Sequence, residues 1–129
     1  MSVCSSTGIS AQLLGEFKAT TIHSWAGLYY GRHNTSDLID LIEHDLKYEQ
    51  TKSRIQKCNV LIIDEISMIS AKIFDQLESV TRCIRGNNCP FGGIQVILSG
   101  DFYQLPPIPC IRYGDDGMFC LENCNISCD

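Results

Sequence analysis

Val60-Leu61-Ile62-Ile63-Asp64-Glu65-Ile66-Ser67-Met68 decides how the rest of this 129-residue chain is read. Four consecutive large apolar residues, three of them β-branched, predict a short strand buried on both faces, as in a parallel sheet. Two adjacent carboxylates end it. At the carboxyl end of a parallel strand, such acids sit in the crevice where α/β proteins bind ligands. An Asp there suits Mg²⁺, because hard cations take oxygen ligands and keep some of their waters. A Glu beside it suits proton removal from an attacking water. The plainer reading is a core strand running into a polar turn, and these nine residues alone do not decide between the two.

Downstream, Ser70 is placed to cap a helix. Ile73, Phe74, Leu77, Val80 and Ile84 follow at helical spacing, and Gly86 supplies a stop. Arg82 and Arg85 near its end suit the helix dipole. Asn87 to Gly93 reads as a turn, with Pro90 and Gly92-Gly93. Ile94 to Leu98 is expected as a second buried strand, with Ser99-Gly100-Asp101-Phe102-Tyr103-Gln104-Leu105-Pro106-Pro107 leaving its carboxyl end. Strand, helix and strand then make one right-handed βαβ unit. Asp64-Glu65 and Asp101 to Gln104 fall on the same rim of the sheet. That convergence favours a shared site over a polar turn.

Upstream, residues 1–6 are expected to form a strand leading into Thr7-Gly8-Ile9-Ser10-Ala11. There a glycine marks a strand-to-helix turn, and hydroxyls stand ready to donate to a phosphate. Ala11, Leu13, Leu14 and Phe17 fit one short helix from Ser10. The segment Ala19 to Gly27 reads as a loop mixing hydroxyls, an imidazole and an indole. Either it grips a sugar-phosphate backbone with Trp25 as a stacking platform, or Trp25 is core and His23 caps a helix. Tyr29 to Thr35 is a loop. Ser36 is the expected N-cap of a helix carrying Leu38, Ile39, Leu41, Ile42 and Leu46, with Asp37 and Asp40 in its first turn and His44 on its polar side. The run from Lys47 to Lys57 is strongly charged and reads as solvated. The result is three parallel strands, near residues 1–5, 59–64 and 94–99, with 59–64 in the middle.

Length limits the chain to one domain, large enough to bury roughly two-thirds of its unfolded surface. The apolar content of 44% suits a globular chain. No apolar run approaches transmembrane length, and the amino terminus lacks the basic-then-apolar layout of a signal peptide. The chain is therefore read as intracellular, without a membrane partner. A net charge of −5 argues against general electrostatic adhesion to nucleic acid, leaving only a local grip. Eight cysteines without a secretory signal read as reduced thiols. Cys110, Cys120, Cys124 and Cys128 offer four thiolates for zinc. They lack the CxxC-like pairs of zinc modules, so the tail reads as a Cys-rich segment.

With both rim loops in view, the chain resembles part of the first motor domain of the Pif family of DNA helicases. Asp64-Glu65-Ile66-Ser67-Met68 is similar to the family's Walker B segment, and Phe91-Gly92-Gly93 through Gly100-Asp101-Phe102-Tyr103-Gln104-Leu105-Pro106-Pro107 to its next motif. Ser6-Thr7-Gly8-Ile9-Ser10-Ala11 and Thr21-Ile22-His23-Ser24-Trp25-Ala26-Gly27 resemble its two DNA-contacting segments. The resemblance implies an α/β, RecA-like P-loop NTPase core over residues 1–109, followed by the Cys-rich tail 110–129 as the start of another segment. It implies ATP and Mg²⁺ as cofactors, with Asp64 holding the metal and Asp101 on the nucleotide side. Glu65 would polarise water, and Gln104 would sense the γ-phosphate. Thr7, Gly8, His23 and Ser24 would lie along single-stranded DNA. The implied activity is ATP-driven DNA unwinding in repair, recombination or telomere maintenance, in the nucleus or mitochondrion.

The sequence departs from the family in two respects, the phosphate-binding loop and the second motor domain with its arginine finger, neither of which is read in it. No Gly-Lys-Ser or Gly-Lys-Thr occurs in it, so the phosphate-binding loop and its strand are expected to be missing from the sheet. The expectation is a segment of a larger helicase or a truncated product, inactive alone. The alternative is a non-catalytic module that binds DNA or protein.

Overall fold

The computed structural model describes residues 1–6, 8–13, 18–28, 33–100, 107, 115 and 117. Four parallel strands form one sheet: β1 (Ser2–Ser5), β2 (Thr20–Thr21), β3 (Val60–Asp64) and β4 (Gln95–Leu98), in the order β2-β1-β3-β4. The three expected strands are present with β3 between β1 and β4. The two-residue β2 is an addition on the far side of β1. Among the described residues five α-helices accompany them: α1 (Gly8–Leu13), α2 (Ile22–Ala26), α3 (Thr35–His44), α4 (Glu49–Lys57) and α5 (Ala71–Arg85).

The strand pairing sorts the sheet into two faces. Cys4, Ile63 and Leu98 lie side by side, as do Leu61 and Val96. Cys4, Leu61 and Ile63 are buried against Ile22, Trp25, Leu38, Ile42, Ile55, Phe74, Leu77 and Val80 from α2 to α5. The other face carries the row Val3, Ile62 and Ile97. It is only partly covered, with Ile97 44% exposed. The expectation that β3 and β4 are buried on both faces is therefore corrected: each alternates, and β4 is the more open of the two.

The amphipathic α5 forms as its sequence predicts. Ser70 Oγ accepts from the Ile73 amide, and Gly86 closes the helix in the left-handed conformation. Arg85 then joins three elements. Its Nη1 donates to the carbonyls of Ile55, Gln56 and Cys58 at the end of α4, and its Nε to Gly92 O. Those α4 carbonyls have no helical partner of their own. Phe91 stacks edge-on against Phe74, with ring centroids 5.4 Å apart.

Three local readings are revised. Asn34, not Ser36, caps α3, its Oδ1 accepting from Asp37 N at 2.8 Å. Ala19 to Gly27 is not a loop, because Thr20–Thr21 joins the sheet and Ile22–Ala26 is helical. The charged run from Lys47 is a 3₁₀ turn followed by α4, which buries Thr51 and Ile55. Ser70 Oγ also donates to Asp115 Oδ2, at 2.5 Å.

Candidate functional site

Parallel strands end on one rim, and the register shows what stands there. Ser5 pairs with Thr21 on one side and Asp64 on the other. Strands lie about 4.8 Å apart, so Thr21 and Asp64 are separated by roughly 10 Å across the rim. α1, α2 and the turn after β3 all leave from this row. Gly8, His23, Ser24, Asp64 and Glu65 therefore belong to one end of the sheet. Thr7, Asp101 and Gln104 lie outside the described residues.

At the β3 end, Glu65 has a φ of 57°, a conformation rare for a residue with a Cβ. Such backbone persists only where its surroundings over-determine it. Those surroundings are visible. Ser99 N donates to Ile63 O at 2.9 Å, and Ile66 N donates to Ser99 O at 3.0 Å, so the end of β4 spans the turn. Gly100 then lies against it: an added Cβ would be 2.9 Å from Ile66 N. The backbone that carries Asp64 and Glu65 is thus set by the neighbouring strand as well as by its own.

The fit to a metal can be judged from the donors. Among the described residues no three His, Cys, Asp or Glu side chains cluster. The donors at the end of β3 are the carboxylates of Asp64 and Glu65, the oxygen type that Mg²⁺ takes. Ser5 Oγ, level with Asp64, and Ser67 Oγ are buried with no hydrogen-bond partner among the described residues, which leaves polar capacity in the same stretch of the rim.

At the β2 end, Thr21 caps α2. Its Oγ1 accepts from Ser24 N at 3.2 Å and donates to Ser24 Oγ at 3.0 Å. The Ser24 hydroxyl proton remains available on an exposed side chain. Trp25 is 3% exposed, which settles it as core and removes the stacking-platform reading. His23 is half-buried, and burial pushes its pKa down, so the imidazole is neutral near pH 7. Gly8 opens α1 on the surface, with nothing within 4 Å of where a Cβ would stand.

Beside α2 is a cavity of about 470 Å³ lined by His23, Ser24, Lys47, Gln50, Thr51 and Arg54, among others. Arg54 Nη2 donates to Ser24 O, Trp25 O and Thr51 Oγ1 at 3.1–3.2 Å, tying α4 to α2. Lys47 and Arg54 were passed over as part of a solvated run. Lys47 stands in the 3₁₀ turn and Arg54 on α4, so no helical period links them, and only the fold brings both to this cavity.

The sequence model for PIF1-like helicases matches residues 1–117. The ATP-dependent DNA helicase PIF1 of Homo sapiens is 41% identical over 118 residues, covering 92% of this chain and 17% of that protein. PIF7 of Trypanosoma brucei brucei is 44% identical over 120 residues, covering 93% and 12%. The Candida albicans Pif1 helicase structure superposes with a TM-score of 0.81 at 36% identity, over 95% of this chain and 26% of that one. Bacteroides Pif1 in complex with ADP-AlF3 and single-stranded DNA gives 0.72 at 33% identity, over 92% and 28%. The chain thus spans a small part of the length of these relatives, and over that part it belongs to the PIF1-like helicase family.

Proposed function

We propose that this chain supplies the Walker B and DNA-path portion of the first motor domain of an ATP-dependent DNA helicase, acting in DNA repair, recombination or telomere maintenance. Residues 1–109 form that portion, and 110–129 begin the next segment. The observation that supports it most is the row Thr21–Ser5–Asp64, which sets the candidate DNA segment and the candidate nucleotide carboxylates on one rim. Bound Mg²⁺ neutralises charge on the nucleotide phosphates, and phosphoryl transfer depends chiefly on such positioning. In this reading Asp64 holds that ion, with Asp101 on the same side. Glu65 accepts the proton of the attacking water, its backbone fixed by Ser99 and Gly100. Gln104 reads the γ-phosphate and passes its state to the DNA path. Thr7, Gly8, His23 and Ser24 follow single-stranded DNA across α1 and α2.

The 129 residues contain no Gly-Lys-Ser or Gly-Lys-Thr, so this polypeptide alone is expected not to hydrolyse ATP. Within a full-length helicase that also supplies the phosphate loop and the second motor domain, DNA-stimulated hydrolysis is expected. Glu65→Gln should then abolish turnover while leaving nucleotide binding largely intact. Turnover by the isolated chain, or undiminished turnover in the full-length Glu65→Gln variant, would remove the assignment.

A further inference from the structure

We infer that the cavity between α2 and the amino-terminal half of α4 is a phosphate pocket for single-stranded DNA, with Lys47 and Arg54 as its charged residues. The inference rests on reading His23 and Ser24 as DNA contacts, and it extends that path to a surface the family motifs do not include. Position is the first argument. β2 ends at Thr21 on the carboxyl rim, and α4 runs back toward the start of β3 at Val60. The amino end of α4 and the turn before it, with Lys47, therefore lie on the rim side, next to α2.

Charge is the second argument. The chain has 15 acids against 10 bases, yet among the described residues no Asp or Glu lines this cavity. Among the described residues no carboxylate is within ion-pair distance of Lys47 or Arg54. An unpaired Lys and Arg facing an acid-free hollow favour an anion. Arg54 is also held in place. Nη2 is committed to two backbone carbonyls and Thr51 Oγ1, while Nε and Nη1 keep their donors. Ser24 Oγ and the Gln50 amide add neutral donors, and the neutral His23 adds no charge of its own. A volume of about 470 Å³ admits a phosphodiester with its sugar, and the hollow is open, as a continuous strand requires.

The test is fluorescence anisotropy of a labelled oligothymidylate with the 129-residue chain at several salt concentrations. Lys47→Gln is expected to weaken binding several-fold. It should also reduce the slope of log affinity against log salt by about 0.7, the value for one phosphate contact on a single strand. Lys47→Arg should restore both, and Lys52→Gln, on α4 but outside the cavity, should change neither. A purely structural role for Lys47 would leave the salt slope unmoved. Lys47→Gln matching wild type while His23→Ala weakens binding would overturn the pocket and leave the DNA reading standing. Wild-type chain that binds no oligothymidylate at any salt would overturn both. Polyglutamate bound as tightly as the oligonucleotide would assign the pocket to an acidic polypeptide and overturn the proposal as stated.

Discussion

Gly86 and Gly92 have nearly the same left-handed backbone, with φ of 61° and 62°, yet they are not equally replaceable. A Cβ on Gly86 meets nothing within 4 Å, so Gly86→Ala should cost only the left-handed conformation, about 1–2 kcal/mol. On Gly92 it would be 2.7 Å from Thr81 O and 2.9 Å from Arg85 Cδ. Gly92→Ala should add the cost of overpacking, about 1–3 kcal/mol more. Urea unfolding of both variants checks the ranking, and equal losses would show that Thr81 and Arg85 yield freely. A second residue-scale outcome concerns the thiols. Burial pushes the Cys4 thiol up to about 12, whereas Cys83 and Cys89 are exposed. Iodoacetamide at pH 8 should label Cys83 and Cys89 in the native chain, and Cys4 only after unfolding, as read by mass spectrometry. The strand before Asp64 and Glu65 was legible in the sequence from its apolar run, and the pair of acids at its end marked a candidate site only once the second rim loop was read beside it. The left-handed turn at Glu65 was not legible, since it depends on Ser99 and Gly100, far along the chain.

The longest helix shows its period and was read as it stands, whereas β2, α2 and α4 were not. α5 exposes its apolar spacing over 15 residues, and both of its ends are written in Ser70 and Gly86. β2 and α2 have two and five residues, less than any periodicity window, and their hydroxyls suggested a loop. α4 misled for another reason. It buries only Thr51 and Ile55, and its remaining attachment runs through arginines that bond to backbone carbonyls. No hydrophobic pattern records such bonds. Arg85 is the clearest case, because one guanidinium serves four carbonyls on α4 and the turn after α5. Lysine cannot reproduce that planar set of donors. Arg85→Lys is therefore expected to destabilise by about 2 kcal/mol, within the range for charge-assisted hydrogen bonds. Hydrogen exchange should quicken at the end of α4 before the rest of the sheet. A uniform change across the protein would mean that Arg85 does not act through that helix end.

At the scale of the molecule, the expected order with β3 between β1 and β4 is the one observed, and the β3–α5–β4 part of it is the βαβ unit read in the sequence. The unequal cover of the two faces was not legible, because an apolar strand reads the same whichever face is open. Among the described residues no strand pairs with the outer side of β4. Its unpaired amides and carbonyls run beside the exposed Ile97 and no guarding Lys or Pro, a template for another chain. The 129-residue polypeptide is expected to self-associate through this edge. The register also selects the variant that tests it. Val96 packs against the core from the same face as Leu61, so a charge there would be buried. Val96→Lys should lower the melting temperature as well as alter association. Ile97 points to the open face, and Ile97→Lys should release the monomer while leaving stability within about 0.5 kcal/mol of wild type. Sedimentation velocity gives the first quantity and thermal unfolding the second. A monomeric wild-type chain whose β4 amides exchange freely would show that this edge recruits nothing. Association that survives Ile97→Lys would move the contact to another surface.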